Sequence, residues 1–528
     1  MTYDRKLPVG IHDFEKLRRD GFLYVDKTRY VYDLAMKGAP CFLGRPQRFG
    51  KSLFLSTLKA YFLGKRELFA GLEIDQVEKE WVEYPVFYVD MSIGIITDND
   101  SLVNRLKALV DGFEKQWGRT VEDNDPATRF AAVIRWAYEQ TGRKVVVLVD
   151  DYEKPLPGNM DDPIVSEAIR KTLKGFYGVL KSVDACLRFV FLTGVGRFPE
   201  AGVFSDLNQL QDISMEEAYA GICGLSEREL LRDFGPELRE LAKKRKLTYE
   251  AVVAGMKKRY DGYHFAQASE GIYNPFSVLN TFAAGYFADY WFQTGTPTSL
   301  VNMLKGGDFE LPNLDNNVRT SVRGLSDYRV EWGNPIPVLY QSGYLTIKEY
   351  DAEFNEFVLG FPNEEVKYGF LWELMPAYAP MYAIRQDFSA SQFIRLLRAG
   401  DVEKFVGSLQ AFLTAIPYDP EEEAERHFRL VFYLLAAMMG QFAPVEVKIA
   451  RGRADAVIQT ADTVYVLEFK VTGSGTAEDA WKQINNPAYP IPYTAKGRRI
   501  VKVGAEFNAQ ERVLVRWWSG EGKRKGIT

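Results

Sequence analysis

Gly50, Lys51 and Ser52 follow one another in the sequence and carry the groups that bind a nucleoside triphosphate. Backbone N–H groups at the start of a helix attract phosphate, a lysine ammonium reaches the outer phosphates, and a serine hydroxyl binds Mg²⁺. An apolar run at 40–44 precedes the tripeptide and a helical pattern follows it, which is the order of a P-loop. These residue types predict a site for ATP and Mg²⁺, with Arg45 standing where the P-loop pattern has its first glycine.

Asp150 and Asp151 end another apolar run, about 95 residues further along the chain. An ATPase needs one acid to hold the metal and commonly a second to activate water, and we assign these roles to Asp150 and Asp151 in that order. Thr193, near the end of a third apolar run, is expected to sense the outer phosphate. Arg48 and Arg197 are candidates to neutralise charge in the transition state. The alternative is a set of ordinary surface arginines and a buried strand that ends in solvated carboxylates.

Asp455, Glu468 and Lys470 form a second chemically suggestive set near the end of the sequence. Side chains alternate along a strand, so residues 468 and 470 face the same side while Phe469 faces the core. If the two strands of this region form a hairpin, Asp455 joins the pair. Two carboxylates then share a divalent metal, with a lysine beside the water to be activated, which predicts hydrolysis of phosphodiesters. The alternative is a charged face on an edge strand.

Further residues are assigned supporting roles around this predicted metal site. Glu425, at the start of the preceding helix, is a candidate metal ligand. Gln483 and Tyr489, on and just beyond the following helix, are candidates to position the reacting groups. The basic residues expected to contact phosphate groups are Arg451, Arg453, Arg498 and Arg499.

The elements that must position these residues follow from the hydrophobic patterns. Short apolar runs separated by helical patterns predict buried parallel strands at 40–44, 85–90, 145–150 and 188–194. Helical periodicity dominates between about 226 and 425. The last region predicts helices at 421–439 and 476–485 and strands at 445–450, 455–459, 463–470 and 499–504.

We therefore expect an α/β multidomain protein. A P-loop parallel-sheet ATPase domain would cover 1–215, a mostly helical middle or lid domain 216–420, and a compact α/β domain 421–528. The length of 528 residues agrees with three domains of ordinary size.

Composition excludes several other classes. The 35 Phe, 29 Tyr and 9 Trp are far more apolar surface than a disordered chain leaves in water. Three cysteines without a CxxC pair, and only three histidines, argue against a disulfide framework or a zinc centre. The first residues lack a secretory signal, and no apolar stretch reaches the roughly 20 residues that cross a bilayer. We expect a cytoplasmic protein with no membrane segment.

The net charge of −5 is distributed unevenly. Residues 440–528 contain 14 Lys and Arg against 9 Asp and Glu, a local charge of +5, which leaves −10 for the rest. One interpretation is that the last domain meets a polyanion while the remainder does not. The alternative is statistical scatter over a short window.

The sequence resembles, over nearly its whole length, the bacterial AAA-ATPase-like proteins that carry a C-terminal PD-(D/E)XK nuclease domain. The resemblance is specific because many phrases occur in one order. These phrases are LPVGIHDFEKL (7–17), YVDKT (24–28), RPQRFGKSL (45–53), LVDDYEKP (148–155), FLTGVGRF (191–198), YDGYHF (260–265), YNPFSVLN (273–280), YWFQTGTP (290–297), YQSGYLTI (340–347), GRADAV (452–457) and LEFK (467–470).

The resemblance implies a restriction-endonuclease-like fold for the last domain and assigns residues to both centres. The residues that it carries over are Lys51 and Ser52 for phosphates and magnesium, Asp150 for the metal, and Asp455, Glu468 and Lys470 for the nuclease centre. The family's phosphate loop also lacks the first glycine, so Arg45 is a family feature. Where the family has Asp-Glu after the third strand, this chain has Asp150-Asp151. The shorter acid implies slow ATP hydrolysis, or assistance from Glu153.

The sequence thus predicts an ATP-binding and ATP-hydrolysing protein coupled to a magnesium-dependent nuclease, and the resemblance favours DNA over RNA. Two alternatives stay open. One is a nucleotide-dependent binding switch whose inactive nuclease fold holds a partner or nucleic acid, which Asp151 and the low overall basicity favour. The other is an ATPase machine with a structural nuclease fold. An oligomeric ring is compatible with such an ATPase, and the sequence carries no interface signature for one.

Overall fold

The computed structural model describes residues 5–528 with interruptions. The omitted positions are 93, 119–120, 157–161, 197–209, 295–299, 302, 305–308, 310, 316, 327–333, 380–389, 417–423, 444, 451–452, 487–497, 521–522 and 527–528. The chain divides into two compact units. The first unit comprises Met1–Thr294 and Leu314–Val366, and the second comprises Gly295–Asn313 and Lys367–Thr528.

Helices of the first unit contribute more buried apolar side chains than its strands do. They are α1 (Phe14–Arg19), α2 (Thr28–Lys37), α3 (Lys51–Phe62), α4 (Glu73–Val77), α5 (Asn99–Trp117), α6 (Pro126–Thr141), α7 (Pro163–Ser182), α8 (Glu227–Asp233), α9 (Gly235–Arg245), α10 (Tyr249–Tyr260), α11 (Pro275–Ala284), α12 (Val322–Ser326) and α13 (Ile336–Gln341). Helix α14 (Glu364–Tyr378) contains the division between the two units. The later helices are α15 (Ala390–Arg398), α16 (Val402–Ala415), α17 (Ala424–Met439) and α18 (Ala477–Asn485).

Five parallel strands form the sheet of the first unit. They are β1 (Cys41–Gly44), β2 (Val86–Asp90), β3 (Val145–Asp150), β4 (Leu187–Gly194) and β5 (Gln211–Asp212), in the order β2-β3-β4-β1-β5. This order places β4 between β1, which precedes Lys51, and β3, which ends in Asp150. The carboxyl ends of parallel strands lie along one edge, so all predicted nucleotide residues of these strands meet there.

The parallel sheet is buried because its strands are apolar on both faces. Every residue of β3 is buried. Helices α5, α6 and α7 cover one face and contribute Leu106, Ile134 and Leu173 to a single apolar core with the strands. On α3, Phe54 and Phe62 contact aromatic side chains of β4.

The remainder of the first unit contains a helical core and two small sheets. Helices α8–α11 share an apolar cluster built on residues such as Leu230, Leu238 and Met256. Strands β6 (Leu225–Ser226) and β7 (Ile272–Tyr273) pair antiparallel, as do β8 (Val318–Ser321), β9 (Thr346–Asp351) and β10 (Glu356–Gly360) in the order β8-β10-β9. The predicted middle region is therefore helical with a three-stranded sheet that the helical periodicity did not indicate.

Six strands form the sheet of the second unit, arranged in sequence order. They are β11 (Val445–Ala450), β12 (Arg453–Gln459), β13 (Thr463–Val471), β14 (Arg499–Asn508), β15 (Val513–Ser519) and β16 (Lys523–Gly526). Only the β13–β14 pair of this sheet is parallel, and α18 lies in the connection between them. Phe432 of α17 contacts Phe469, on the face opposite to residues 468 and 470.

The predicted α/β fold is confirmed in both terminal regions. The six-residue run at 145–150 is β3 residue for residue, and the strands of the last region lie where the apolar runs placed them. Strands β5, β15 and β16 were not predicted, because β5 is only two residues long and β16 is highly charged. Within the described part of the chain, no helix combines the length and hydrophobicity that a membrane span needs.

We expect Leu173→Ala to destabilise the first unit by about 2–5 kcal/mol, because Leu173 is fully buried in the core under α7 and its loss leaves a cavity. Urea unfolding followed by circular dichroism measures this. Lys171→Ala on the exposed face of the same helix serves as the matched control and should change the free energy of unfolding by less than about 0.5 kcal/mol. Equal effects of the two substitutions would contradict this assignment of the core.

Candidate functional site

The phosphate loop runs from β1 into α3 and closes around its own lysine. Gly50 has a φ of 94°, a left-handed conformation that favours glycine, and α3 begins at the next residue. Lys51 is buried, and its Nζ donates hydrogen bonds to the carbonyl oxygens of Arg45 (2.9 Å) and Pro46 (3.2 Å). Ser52, half-buried, is the second residue of α3. The strand, the loop and the helix therefore follow one another in the P-loop order, with the lysine and the serine in the first turn of α3.

Arg45 occupies the position where the P-loop pattern has its first glycine, and its side chain anchors the loop through hydrogen bonds. The side chain is 1% exposed, and its guanidinium donates hydrogen bonds to the carbonyls of Gly44 (2.8 Å), Ser214 (2.7 Å) and Tyr219 (2.9 Å). The same group lies over the ring of Phe265, 4.1 Å from its centroid. Burial lowers the pKa of Arg45. The arginine at the position of the missing glycine therefore has a structural role.

Asp150 lies at the end of β3 and accepts hydrogen bonds from two neighbouring strands. Thr193 Oγ1 of β4 donates to it at 2.7 Å, and the Tyr88 hydroxyl of β2 donates at 3.2 Å. Burial and the charge of Asp150 raise the pKa of Tyr88, which keeps that hydroxyl protonated as a donor. Among the described residues, no lysine or arginine forms a salt bridge with Asp150, and a buried carboxylate without a cation suits a metal.

Asp151 and Glu153 follow in a tight turn beside Lys51. Burial and the neighbouring carboxylates raise the pKa of Asp151, against an opposing effect of the Lys51 ammonium. Glu153 is 2% exposed, and burial and Asp151 raise its pKa to about 7. One Glu153 oxygen accepts the Val195 N–H, and the other would lie 2.2 Å from a Cβ at Gly194. Glycine at 194 therefore lets this acid reach the end of β4.

The structure places Arg48 against the residues that follow α11. Its guanidinium lies over the Phe276 ring, 4.1 Å from the centroid, and Nη1 donates to the carbonyls of Tyr290 and Trp291, both at 2.9 Å. The sequence predicted that Arg48 binds nucleotide. In the structure its guanidinium contacts Phe276 and the carbonyls of Tyr290 and Trp291. Glu365 in turn accepts the Trp291 N–H at 2.9 Å.

An apolar pocket opens directly beside the phosphate loop. Gly50, Leu53 and Phe54 form one wall of it, and the opposite walls come from distant parts of the first unit, among them Tyr24 and Leu279. A flat, apolar group next to a phosphate site suits such a pocket. The hydrophobic patterns of the sequence did not reveal this site, since its walls converge only in the folded chain.

The acids of the second unit are direct cross-strand neighbours. Asp455 of β12 pairs in register with Glu468 of β13, and both are buried, with exposures of 5% and 0%. Lys470 Nζ donates to Glu468 Oε1 at 2.7 Å and to Gln483 Oε1 of α18 at 2.6 Å. These four side chains of the predicted nuclease centre are thus gathered from two strands and one helix.

Gly504 allows α18 to approach this centre. It pairs with Glu468 across the parallel β13–β14 register, and a Cβ at this position would lie 2.9 Å from the backbone nitrogen of Trp481. Glu506, two residues on, accepts the Ala477 N–H at the first residue of α18. The glycine and the acid seat the helix so that Gln483 reaches Lys470.

Asp455 and Glu468 are two acids, and Lys470 is one basic group beside them, so the three side chains together carry a net negative charge. A buried pair of carboxylates with this excess of negative charge fits a divalent metal. Within the described residues, no group of three or more His, Cys, Asp or Glu side chains is arranged to hold a metal. Among the described side chains, the carboxylates of this centre are those of Asp455 and Glu468.

Other predicted site residues are remote or not described. Arg498 and Arg499 precede or begin β14 at the end paired with Thr463, five residues and roughly 16 Å along the strand from the level of Glu468. Glu425 lies in α17, but its side chain, like that of Arg453, is outside the described residues, as are Arg197, Arg451 and Tyr489.

Sequence reasoning missed Tyr88 and Gly504. A tyrosine at an alternating position of an apolar strand is a weak signal, because core tyrosines are common. The requirement for glycine at 504 arises from the closeness of a helix that lies more than twenty residues earlier in the sequence. Neither the Tyr88–Asp150 hydrogen bond nor the approach of α18 to Gly504 could be predicted from a pattern of neighbouring residues.

Fold and sites together define a P-loop, AAA-ATPase-like unit and a PD-(D/E)XK nuclease-like α/β unit in one chain. Residues 8–204 match a family described as a predicted AAA-ATPase, and residues 423–517 match the PD-(D/E)XK nuclease superfamily. An "uncharacterized protein in vnfD 5′ region" of Azotobacter chroococcum mcd 1 is 34% identical over 522 residues, which cover 97% of this chain and 98% of that protein. The chain belongs to this family of predicted AAA-ATPases with a PD-(D/E)XK nuclease domain.

Glu365 is expected to make the stability of the first unit depend on pH. It is 1% exposed, and burial raises its pKa from 4.5 to about 7. An acid whose pKa is higher in the folded state stabilises the protein fully below about pH 4.5 and loses that contribution as the pH rises through about 7. Between pH 4.5 and 8 the free energy of unfolding of the wild-type protein should therefore fall by up to about 3 kcal/mol more than that of Glu365→Gln.

Calorimetry at pH 5 and pH 8 checks this expectation through the difference in Tm between wild type and Glu365→Gln. Glu349→Gln, at an exposed position of β9, is the control and should follow the wild type at both values. Parallel pH profiles for wild type and Glu365→Gln would show that Glu365 does not titrate in this range.

Proposed function

We propose that the protein is a nucleotide-regulated, magnesium-dependent nuclease that acts on DNA. The observation that carries the proposal is the set Asp455, Glu468, Lys470 and Gln483. Asp455 and Glu468 are buried cross-strand neighbours, and Lys470 donates hydrogen bonds to Glu468 and to Gln483 of α18. Intact acids and an intact lysine are what hydrolysis of a phosphodiester requires, and a domain kept only for binding has no need of them. The proposed borders are 1–215 for the ATPase-like domain, 216–420 for the middle and 421–528 for the nuclease.

In the nuclease centre, Asp455 and Glu468 would hold Mg²⁺, which supplies neutralisation of phosphate charge and a more acidic bound water. Glu468 also accepts a hydrogen bond from Lys470, so the ammonium is held beside the acids. Gln483 fixes the ammonium from the other side. With its position determined by both partners, Lys470 can orient a water nucleophile or stabilise developing negative charge.

In the nucleotide centre, Lys51 would exchange its loop carbonyls for the outer phosphates of ATP, and Ser52 and Asp150 would hold Mg²⁺. Thr193 orients Asp150 and lies next to the loop, since Leu43 pairs with Thr193 in the β1–β4 register. The apolar pocket beside Gly50 suits the adenine ring of ATP. Asp151 would act as the base for hydrolysis, with Glu153 behind it.

A nucleotide-dependent binding switch is the second candidate. The observation that favours it is Asp151, a short acid whose pKa is raised by burial and by the neighbouring carboxylates. A poorly placed base leaves ATP bound but unhydrolysed. In that case the second unit would hold nucleic acid or a partner without cleaving it.

Incubation of the purified protein with plasmid DNA and Mg²⁺ or Mn²⁺, with and without ATP, tests the nuclease. We expect cleavage that Asp455→Ala lowers at least about 100-fold, because the substitution removes one of the two acids that hold the metal. Asp462→Ala, in the exposed turn between β12 and β13, is the matched control and should cleave like the parent. An absence of metal-dependent cleavage would leave the binding switch as the function. Full activity of Asp455→Ala would refute the assignment of Asp455, Glu468 and Lys470 as the nuclease centre.

Titration with a fluorescent ATP analogue tests the phosphate loop. Lys51→Ala should weaken binding at least about tenfold, since a charge-assisted hydrogen bond contributes roughly 1.5–3 kcal/mol. Lys115→Ala, at an exposed position of α5, should bind the analogue with the parent's Kd. Circular dichroism confirms that both variants are folded, and an unchanged Kd for Lys51→Ala would refute the assignment.

A further inference from the structure

Glu365 is a buried acid that neither centre uses. It is the second residue of α14, is 1% exposed, and accepts three hydrogen bonds. Ser277 Oγ lies 2.9 and 2.8 Å from its two oxygens, and the Trp291 N–H donates to Oε1 at 2.9 Å. Burying an acid is costly, so an acid held by the Ser277 hydroxyl and the Trp291 N–H here indicates that its position matters.

Trp291 connects this acid to the phosphate loop. Its N–H is held by Glu365, and its carbonyl, together with that of Tyr290, is held by Arg48 Nη1 at 2.9 Å. The peptide segment 290–291 is therefore hydrogen-bonded both to the phosphate loop, through Arg48, and to the first turn of α14, through Glu365. A displacement of the loop or of this turn therefore strains the hydrogen bonds to the other.

The first turn of α11 supports both ends of this connection. Phe276 lies under the Arg48 guanidinium, with the centroid 4.1 Å away, and its neighbour Ser277 donates to Glu365. Arg48 itself has a φ of 67°, in the left-handed region that a non-glycine residue adopts only when its surroundings hold it there. The conformation of the phosphate loop thus depends on contacts with residues more than 200 positions further along the chain.

Helix α14 is also the element within which the division between the two units falls, at Val366–Lys367. We propose that Arg48, the 290–291 peptide segment and Glu365 form a relay that couples the conformation of the phosphate loop with the first turn of α14. Glu365 is a positioning residue in this relay, because it acts on the loop through Trp291 and Arg48. The relay rests on the proposed nucleotide binding, and it gives that binding a route to the helix that continues into the nuclease-bearing unit.

Coupling of this kind is reciprocal. If nucleotide binding alters the first turn of α14, then loss of the Glu365 contacts in that turn must in return alter nucleotide affinity. The coupling free energies typical of linked sites correspond to a change of roughly 5–150-fold in Kd.

Hydrogen exchange of the full-length protein, with and without a non-hydrolysable ATP analogue, tests the relay together with the Kd of that analogue. We expect the analogue to change amide exchange over 364–378 in the wild type. Glu365→Ala should lose this response and bind the analogue at least about fivefold more weakly. Glu365→Gln, whose side-chain oxygen still accepts the Trp291 N–H, should retain both properties.

Two further variants separate the relay from a loss of stability. Glu78→Ala removes another buried acid of the first unit, the hydrogen-bond partner of Tyr61, and should keep the response and the Kd. Ser277→Ala removes one donor to Glu365 and should weaken the response even if Glu365→Ala does not fold. A full response and an unchanged Kd in the Glu365→Ala or Ser277→Ala protein would overturn the relay while the wild type still binds nucleotide. Absence of binding by the wild type would instead overturn the proposed nucleotide site, and the relay with it.

Discussion

The cost of removing charged side chains from water governs how both centres of this protein are built. Asp150 is buried at the end of β3 and receives hydroxyl donors from β2 and β4. Glu468 is fully buried and is held by Lys470. A buried charge without such partners would destabilise the fold by several kcal/mol. The partners must therefore be delivered with fixed geometry, and hydrogen-bonded strands about 4.8 Å apart do this.

Strand order follows from that need. Placing β4 between β1 and β3 sets Thr193 within reach of Asp150 and beside the strand that leads to Lys51. In the second unit, the antiparallel β12–β13 register sets Asp455 opposite Glu468, while the parallel partner β14 offers only a glycine at that level. The gap that Gly504 leaves is what admits α18 and its glutamine. Small residues at these positions are as necessary to the centres as the charged ones.

The phosphate loop shows how far its supports lie from it in sequence. Arg45 is anchored on the carbonyls of residues 214 and 219, and Arg48 on those of residues 290 and 291. The conformation of the loop therefore depends on segments that follow the sheet in the chain, and a substitution in those segments can alter the loop without lying in it.

Patterns local in sequence were sufficient for much of this description. The apolar runs predicted the four long strands of the first sheet, because burial on both faces leaves a continuous hydrophobic signature. Alternation along β13 predicted that residues 468 and 470 share a face with Phe469 opposite, and the structure confirms it. The family resemblance predicted the two domain families, and the matches over residues 8–204 and 423–517 confirm both.

Only the tertiary structure decided which side chains support the centres and at what distance. The Arg48 guanidinium, assigned from its position in the loop to nucleotide, contacts Phe276 and the carbonyls at 290–291, and Arg498 and Arg499 begin β14 well away from Glu468. Tyr88, Glu365 and Gly504 matter through partners that are tens of residues or more away in sequence. Residue type and spacing determine the chemistry available within one strand or turn. Which strands, helices and carbonyls surround that chemistry depends on packing across the whole unit, and no local pattern contains it.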